Sequence, residues 1–239
     1  MTILHSSRGR RVARALWAGV LASSAGAAWA QQADPMETYN RSMTRFNDTV
    51  DEAVLKPVAT AYQQAMPSPV RTGVSNFFGN LGDAWSFVNN TLQLRGEAAM
   101  ASFFRVGINS TMGLGGVLDL ASEMRIDRYK QDFGLTLGRW GVPTGPYFVL
   151  PLLGPSTVRD TLALPVDWRG NPLRELTPVS TRNSLYALRI VDTRANLLRA
   201  ENVLDDAALD KYSFTRDVYM QLRSGARNGD GSLPPEPEQ

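Results

Sequence analysis

Apolar and polar positions recur along this 239-residue chain with helical periods almost throughout. From about Met36 to Met66, the apolar Met43, Phe46, Val50 and Val54 fall at three- and four-residue spacing, one face of a helix. Asp34-Pro35 supplies its start, an N-cap followed by Pro at the first helical position. Pro57 predicts a kink or division after Leu55. Asn40, Arg41, Asn47 and Asp48 lie among the apolar positions and read as solvated helix surface.

The strongest periodic signal comes next. Val70, Val74, Phe77, Leu81, Trp85, Val88 and Leu92 form one stripe, widened by Phe78 and Phe87. Gly73, Gly79 and Gly82 each cost roughly 1 kcal/mol of helix propensity against Ala. Close approach of another helix would compensate, either in a core crossing or as in membrane helix pairs. The pattern resumes from Glu97 to Met112 and loosens at Gly113 to Gly116; Val117 to Ala121 then forms a short helical turn. The GLGG run there lacks the preceding strand and the full spacing of a dinucleotide loop. Ser122 to Gln131 reads as an exposed connection. Farther on, Leu185, Leu188, Val191, Ala195 and Leu198 stripe a helix from about Ser184 to Ala200, with Thr181 or Asn183 as its cap. Asp205 is expected to cap a last helix to about Arg223, with Leu209, Tyr212, Tyr219 and Leu222 on one face. The pattern predicts an all-α domain.

One stretch breaks the rhythm: Phe133 to Asp160, FGLTLGRWGVPTGPYFVLPLLGPSTVRD. Pro143, Pro146, Pro151 and Pro155 each fix φ and remove a backbone donor. Gly141, Gly145 and Gly154 permit backbone angles that other residues resist. A flexible linker would be polar. This segment is a stiff, bent, apolar connection, whose Tyr147, Phe148, Val149, Leu150, Leu152 and Leu153 require cover from protein or from something else greasy.

The N-terminus reads as a cleaved secretory leader over 1–30. Arg8, Arg10, Arg11 and Arg14 precede a short apolar run and an Ala28-Trp29-Ala30 cleavage site; general secretion fits better than a twin-arginine route. Its loss takes 25 basic and 23 acidic residues to 21 and 23, a net −2, which gives no support to nucleic-acid binding. It also takes away His5, the one His, and the chain has no Cys. Histidine triads, thiol nucleophiles and His- or Cys-based metal sites are thereby excluded. No Gly-x-Ser-x-Gly elbow or phosphate loop is present. A carboxylate-pair hydrolase stays open. No apolar run reaches a membrane span, and no sustained alternation suggests a membrane barrel. The chain divides into a leader (1–30), a helical domain (31–226) and a tail (227–239) of disordered composition.

The central stretch resembles the signature of the MlaA/VacJ family of outer-membrane phospholipid-transport proteins. DPMETYNRSMTRFND, LKPVATAYQQAMPSPVRTGVSNFFGNL and FFRVGINSTMGLGGVLDLA resemble that family's other blocks in the same order, so the likeness covers about Asp34 to Arg223. The resemblance implies a ring-like single domain of amphipathic helices, with a Pro/Gly-rich apolar hairpin region beside a central amphipathic channel. It implies a protein at the periplasmic side of the outer membrane, in contact with a trimeric porin. Such a protein removes mislocalised phospholipid from the outer leaflet and passes it to a soluble periplasmic lipid carrier, maintaining lipid asymmetry. No cofactor, metal or enzymatic activity is implied.

By the same resemblance, Phe133, Leu137, Trp140, Pro143, Gly145, Pro146, Tyr147, Leu150, Pro151 and Leu153 line the lipid pathway or its gate, and Phe46 and Asn47 brace it. Arg139, Arg159 and Asp160 flank the apolar segment and suit a lipid headgroup, or else serve as surface charges or structural ion partners. Family members commonly carry a lipidated Cys after the leader. Here Gln31 follows Ala30, so acylation at Cys is not expected, and embedded helices and porin contacts would hold the protein instead. The competing reading is a soluble periplasmic helical lipid-binding or adaptor protein.

Overall fold

A computed structural model describes residues 34–207 and 210–225. The chain falls into two units, Met1–Glu37 and Thr38–Gln239. In the first, Asp34 acts as a local cap: its Oδ1 accepts the Met36 N–H at 2.9 Å and its carbonyl that of Glu37 at 3.2 Å. The expected leader (1–30) and tail (227–239) lie outside the described residues.

Helix α1 (Glu37–Val50) runs through a π turn (Asp51–Leu55) into α2 (Lys56–Ala65). Within it the Lys56 N–H reaches back to the Asp51 carbonyl. Pro57 explains the widened turn, because it has no N–H and its ring crowds the carbonyl four residues back. Helix α3 (Ser68–Leu92) has a Pro in its first turn, where a missing N–H costs nothing. It is followed by α4 (Gly96–Thr111), the short α5 (Leu120–Glu123) and α6 (Phe133–Arg139). Asp119 and Asp132 cap the last two, accepting the Ser122 and Leu135 N–H groups at 3.2 and 2.8 Å. Strands β1 (Tyr147–Leu150) and β2 (Gly154–Thr157) form an antiparallel hairpin, with Tyr147 opposite Thr157 and Leu150 opposite Gly154. Thr157 then caps α7 (Val158–Gly170) through the Asp160 N–H at 3.1 Å. A 3-10 turn (Pro172–Glu175) leads into α8 (Val179–Ala207) and α9 (Lys211–Gly225).

Two expected boundaries move. Helix α8 begins at Val179, ahead of Ser184, and runs on past Asp205 to Ala207, so Asp205 lies within a helix and not at the start of the last one. Asp210 caps α9 instead, accepting the Tyr212 N–H at 3.1 Å. Leu209 lies outside the described residues. The connection from Ser122 to Gln131 is exposed only in its first half. Its second half is tied down: the Gln131 N–H donates to Ser86 Oγ at 3.1 Å, and Arg128 pairs with Asp83 and Asp119.

Contacts between the elements close on themselves. Side chains of α1 bond to β1, the hairpin packs on α7 and α9, and α7 packs on α6. Helix α6 meets α3, α3 meets α4 and α8, and α8 packs along α2, which is continuous with α1. The expected all-α, ring-like arrangement with an apolar hairpin is what the chain adopts.

On α3 and α4, polarity inside and outside is reversed from the usual pattern. On α3 the stripe from Val70 to Leu92 is not the buried face; Val70, Val88 and Leu92 are exposed, and the others are only half-buried. The buried positions are Gly73, Phe78, Asn80, Asp83, Ser86, Asn89 and Asn90. Helix α4 does the same, burying Ser102, Arg105 and Asn109 while Met100, Phe103 and Phe104 stand half in solvent. The loop after it leaves Leu114 72% exposed, beside exposed Met112, Val117 and Leu118.

Buried polar groups need hydrogen bonds to be tolerated, and the buried residues of this layer bond to one another. Gln93 Nε2 donates to Gln131 Oε1 and Thr136 Oγ1, both at 3.0 Å, and Thr136 donates on to Asn89 Oδ1 at 2.7 Å. Arg105, 1% exposed, donates to Asp83 at 3.1 Å, to both oxygens of Asp119 at 2.8 Å and to the Ile126 carbonyl at 2.6 Å. Burial raises the Asp83 carboxyl above its usual range against the pull of Arg128 and Arg105.

Candidate functional site

The hairpin is held from outside by two asparagines of α1. Asn40 Nδ2 donates to the Tyr147 carbonyl at 3.1 Å, and its Oδ1 accepts the Val149 N–H at 2.9 Å. Two helical turns on, Asn47 Nδ2 donates to the Leu150 carbonyl at 2.9 Å, and its Oδ1 accepts the Leu152 N–H at 2.7 Å. Each carboxamide offers one donor and one acceptor, as a neighbouring strand would. The expectation that Asn40 and Asn47 are solvated surface is corrected: Asn40 is wholly buried and Asn47 half-buried. Their seven-residue spacing on one helix face was the available signal. Asn40 was missing from the candidate set; Phe46, next to Asn47, is half-exposed.

At the tip, Leu152 has φ +62°, a left-handed conformation that costs a non-glycine residue roughly 1–2 kcal/mol. Asn47 fixes this strained residue through its N–H. Pro151, Leu152 and Leu153 are exposed, although Leu152 and Leu153 were expected to need cover. Tyr147 and Val149 point the other way and are buried with Tyr212, Tyr219, Met43 and Met220 around them. Leu150 is half-buried.

Behind the hairpin lies a buried ionic network. Arg159 Nε donates to Asp160 Oδ1 at 3.0 Å, and Asp160 Oδ2 accepts from the Tyr219 hydroxyl at 3.1 Å and pairs with Arg223 at 3.1 Å. Arg223 also pairs with Asp132 at 2.6 Å, joining the end of α9 to the cap of α6. Burial, reinforced by the Asp160 carboxylate and opposed by Arg223, pushes the Tyr219 hydroxyl up to about 12. Arg159 Nη2 is buried without a partner among the described residues, while Nη1 lies 3.5 Å from Thr144 Oγ1. Gly134 and Gly138, one turn apart on α6, make room for the pair. A Cβ on Gly138 would stand 2.5 Å from Arg159 Nη1, and one on Gly134 would overlap Asp160 Oδ1.

The remaining candidates spread along the same segment. Phe133 and Trp140 meet edge to face at 6.0 Å, and the exposed Trp140 donates its Nε1–H to the Leu92 carbonyl at 3.1 Å. The Phe133 N–H is held by Asp167 at 2.8 Å. Leu137 is half-buried, and Arg139, Pro143, Gly145 and Pro146 are exposed. Gly145, at φ +73°, turns the chain into β1, and the Pro146 carbonyl accepts the Val158 N–H at 3.2 Å. The structure thus brings Asn47, Leu150, Pro151 and Leu153 together at the hairpin tip, and Arg159 and Asp160 together behind it. Arg139, Trp140 and Pro143 precede the hairpin, at the end of α6 and in the connection from it to β1.

The model of a family described as MlaA lipoprotein matches residues 32–226. The intermembrane phospholipid transport system lipoprotein MlaA of Escherichia coli K12 is 36% identical over 219 residues, spanning 90% of this chain and 86% of that one. The protein of the same name from Haemophilus influenzae is 34% identical over 201 residues, covering 79% and 76%. A solved structure concerning the structural basis for maintenance of bacterial outer membrane lipid asymmetry superposes with a TM-score of 0.71. It is 34% identical and covers 82% of this chain and 100% of its own.

Proposed function

Because the chain belongs to the MlaA lipoprotein family, we propose that it is the outer-membrane component of intermembrane phospholipid transport. It takes mislocalised phospholipid from the outer leaflet and delivers it through an amphipathic channel to a soluble periplasmic lipid carrier, with a trimeric porin as its membrane neighbour. The observation that carries this reading is the reversed polarity of α3 and α4, with asparagines, Asp83 and Arg105 inside and Phe103 and Phe104 half in solvent. Water disfavours such a surface at roughly 25 cal/mol per Å² of exposed apolar area. A bilayer covers it without cost, provided that backbone groups stay bonded within helices. No helix among the described residues is long and apolar enough to cross a membrane, so the helices lie within the bilayer by their faces.

Transport needs no covalent step. It needs an opening that admits a charged headgroup beside two acyl chains, and a means of shutting it. The hairpin tip, with Pro151 and Leu153 outermost and Leu150 beneath, is the gate in this proposal. Phe133, Leu137, Trp140, Pro143, Gly145, Pro146 and the ring of Tyr147 shape its approach. Asn47 braces it, Phe46 supports the brace, and Arg139, Arg159 and Asp160 set the charge at its margins. In this proposal the apolar helix faces and the porin hold the protein at the membrane.

The test pairs fractionation with lipid analysis. Untagged protein should stay with outer membranes through high-salt and carbonate washes, and loss of its gene should raise outer-leaflet phospholipid. Wash-released protein with unchanged lipid asymmetry would sink the proposal in favour of a soluble periplasmic lipid-binding protein.

A further inference from the structure

The hairpin has a root as well as a tip. The root is Tyr147, where β1 begins, and Thr157 opposite it, where β2 ends. Backbone closes this root sparingly. The Val158 N–H donates to the Pro146 carbonyl at 3.2 Å and the Arg159 N–H to the Thr144 carbonyl at 3.3 Å, at or beyond the long end of the usual range. Pro143 and Pro146 have no N–H to add. Side chains must therefore fix the angle at which the hairpin leaves α7.

One side chain of α9 reaches both legs. The buried Tyr147 ring lies edge to face with Tyr212 and with Tyr219, at 6.1 Å from each. The Tyr219 hydroxyl extends past that cluster and donates to Asp160 Oδ2 at 3.1 Å. Asp160 stands in the first turn of α7, three residues after Thr157, whose Oγ1 accepts its N–H at 3.1 Å. Tyr219 thus touches the start of β1 with its ring and, through Asp160, the end of β2 with its oxygen.

The surroundings keep that hydroxyl aimed. Arg223 Nε donates to it at 3.2 Å, with the guanidinium 5.4 Å from the ring centroid, so the oxygen accepts on one side and donates on the other. Helix α9 is in turn tied at both ends. Arg41 grips Asp210 through two nitrogens at 2.6 and 3.2 Å, and Arg223 pairs with Asp132 at 2.6 Å. A Phe at 219 would fill the same aromatic cluster with no polar group to satisfy. The hydroxyl adds direction, because a hydrogen bond constrains an angle more tightly than a ring contact does.

We propose that Tyr219 is a positioning residue for lipid passage: with its ring on Tyr147 and its hydroxyl on Asp160, it sets the angle of the hairpin against α7 without itself touching lipid. The assignment rests on the reading of the hairpin as the gate. It goes beyond that reading by placing the pivot of the gate at its root, in the grip of α9, whereas the strained tip is held by Asn47.

The test is Tyr219→Phe in the full chain, which keeps the ring and deletes only the hydroxyl. Hydrogen exchange in neutral detergent should be about tenfold faster at the Val158 and Arg159 amides, the scale of one lost hydrogen bond to a charged group. Exchange should be unchanged at Leu152 and in α3, and the denaturation midpoint should stay close to that of the parent. In cells lacking the native copy, the variant at parental protein level should let outer-leaflet phospholipid rise. Parental exchange at Val158 and Arg159 would overturn the assignment. So would faster exchange spread through the whole chain with a lowered midpoint, the behaviour of a structural residue alone. Faster exchange at the root with parental lipid asymmetry would also overturn it, while leaving transport standing. The transport reading fails on a different result, that loss of the gene itself leaves asymmetry unchanged.

Discussion

Gly134 and Gly138 show how much of this molecule depends on missing atoms. Each faces a buried charge, Asp160 and Arg159 respectively. Replacing either by Ala gains about 1 kcal/mol of helix propensity but inserts a methyl group into a filled space, a change that costs about 1–3 kcal/mol in well-packed cores. The two sites should differ. Beyond Gly138 stands the end of the Arg159 side chain, which can rotate toward Thr144. Beyond Gly134 stands a short carboxylate pinned by Arg159, Tyr219 and Arg223. Gly134→Ala should therefore lower the denaturation midpoint in detergent clearly more than Gly138→Ala. A Gly134→Ala protein as stable as the parent would show that α6 is free to shift, contrary to this packing.

Among the elements, the loop from Gly113 to Ile126 and the hairpin are each held by a few side chains, and both can be tested. Burial alone would raise the Asp119 carboxyl. Hydrogen bonds from Ser122 and Asn109, with the Arg105 and Arg128 guanidiniums, outweigh that and lower it from 3.8 to about 2. A carboxylate depressed in the folded state contributes stability above its unfolded value and loses it as pH falls through the folded one. Asp119→Asn should thus be less stable than the parent at pH 7, and the gap should close between pH 4 and pH 2 in denaturation curves. At the hairpin, Asn47→Ala should accelerate amide exchange at Leu152, whose N–H loses its acceptor, while Val149, held by Asn40, stays protected. Hydrogen-exchange mass spectrometry separates the two. The helices and the apolar central stretch were legible from spacing, Pro and Gly alone. Which face of α3 turns inward was not. A 3.6-residue period says that a helix has two faces, whereas the side that is buried depends on the medium outside. Reading the apolar stripe as core assumes water there, and the same assumption hid Asn40 among supposed surface residues.

At the scale of the whole molecule, the reversed polarity makes an unusual prediction about mutations on a single helix. Phe103 and Phe104 of α4 are 51% and 49% exposed, and their ring contacts are with each other and with Phe87. Asn109, on the opposite face, donates to Asp119 at 2.9 Å and accepts the Ala121 N–H at 2.9 Å. In a water-soluble protein, a polar residue at the first two sites would be harmless and a Leu at the third often tolerable. Here Asn109→Leu should destabilise the fold by about 1–3 kcal/mol in detergent, because it leaves a buried N–H without an acceptor. Phe103→Asp with Phe104→Asp should leave the midpoint in detergent nearly unchanged. It should still release the protein from membranes in the carbonate wash, since each Phe withdrawn from an apolar medium forfeits about 1.5–3 kcal/mol and each new carboxylate resists entering it. The two measurements must part company for the proposal to hold. If the double Asp protein stays membrane-bound and only its fold weakens, those phenylalanines face protein, and the bilayer contact lies elsewhere on the ring.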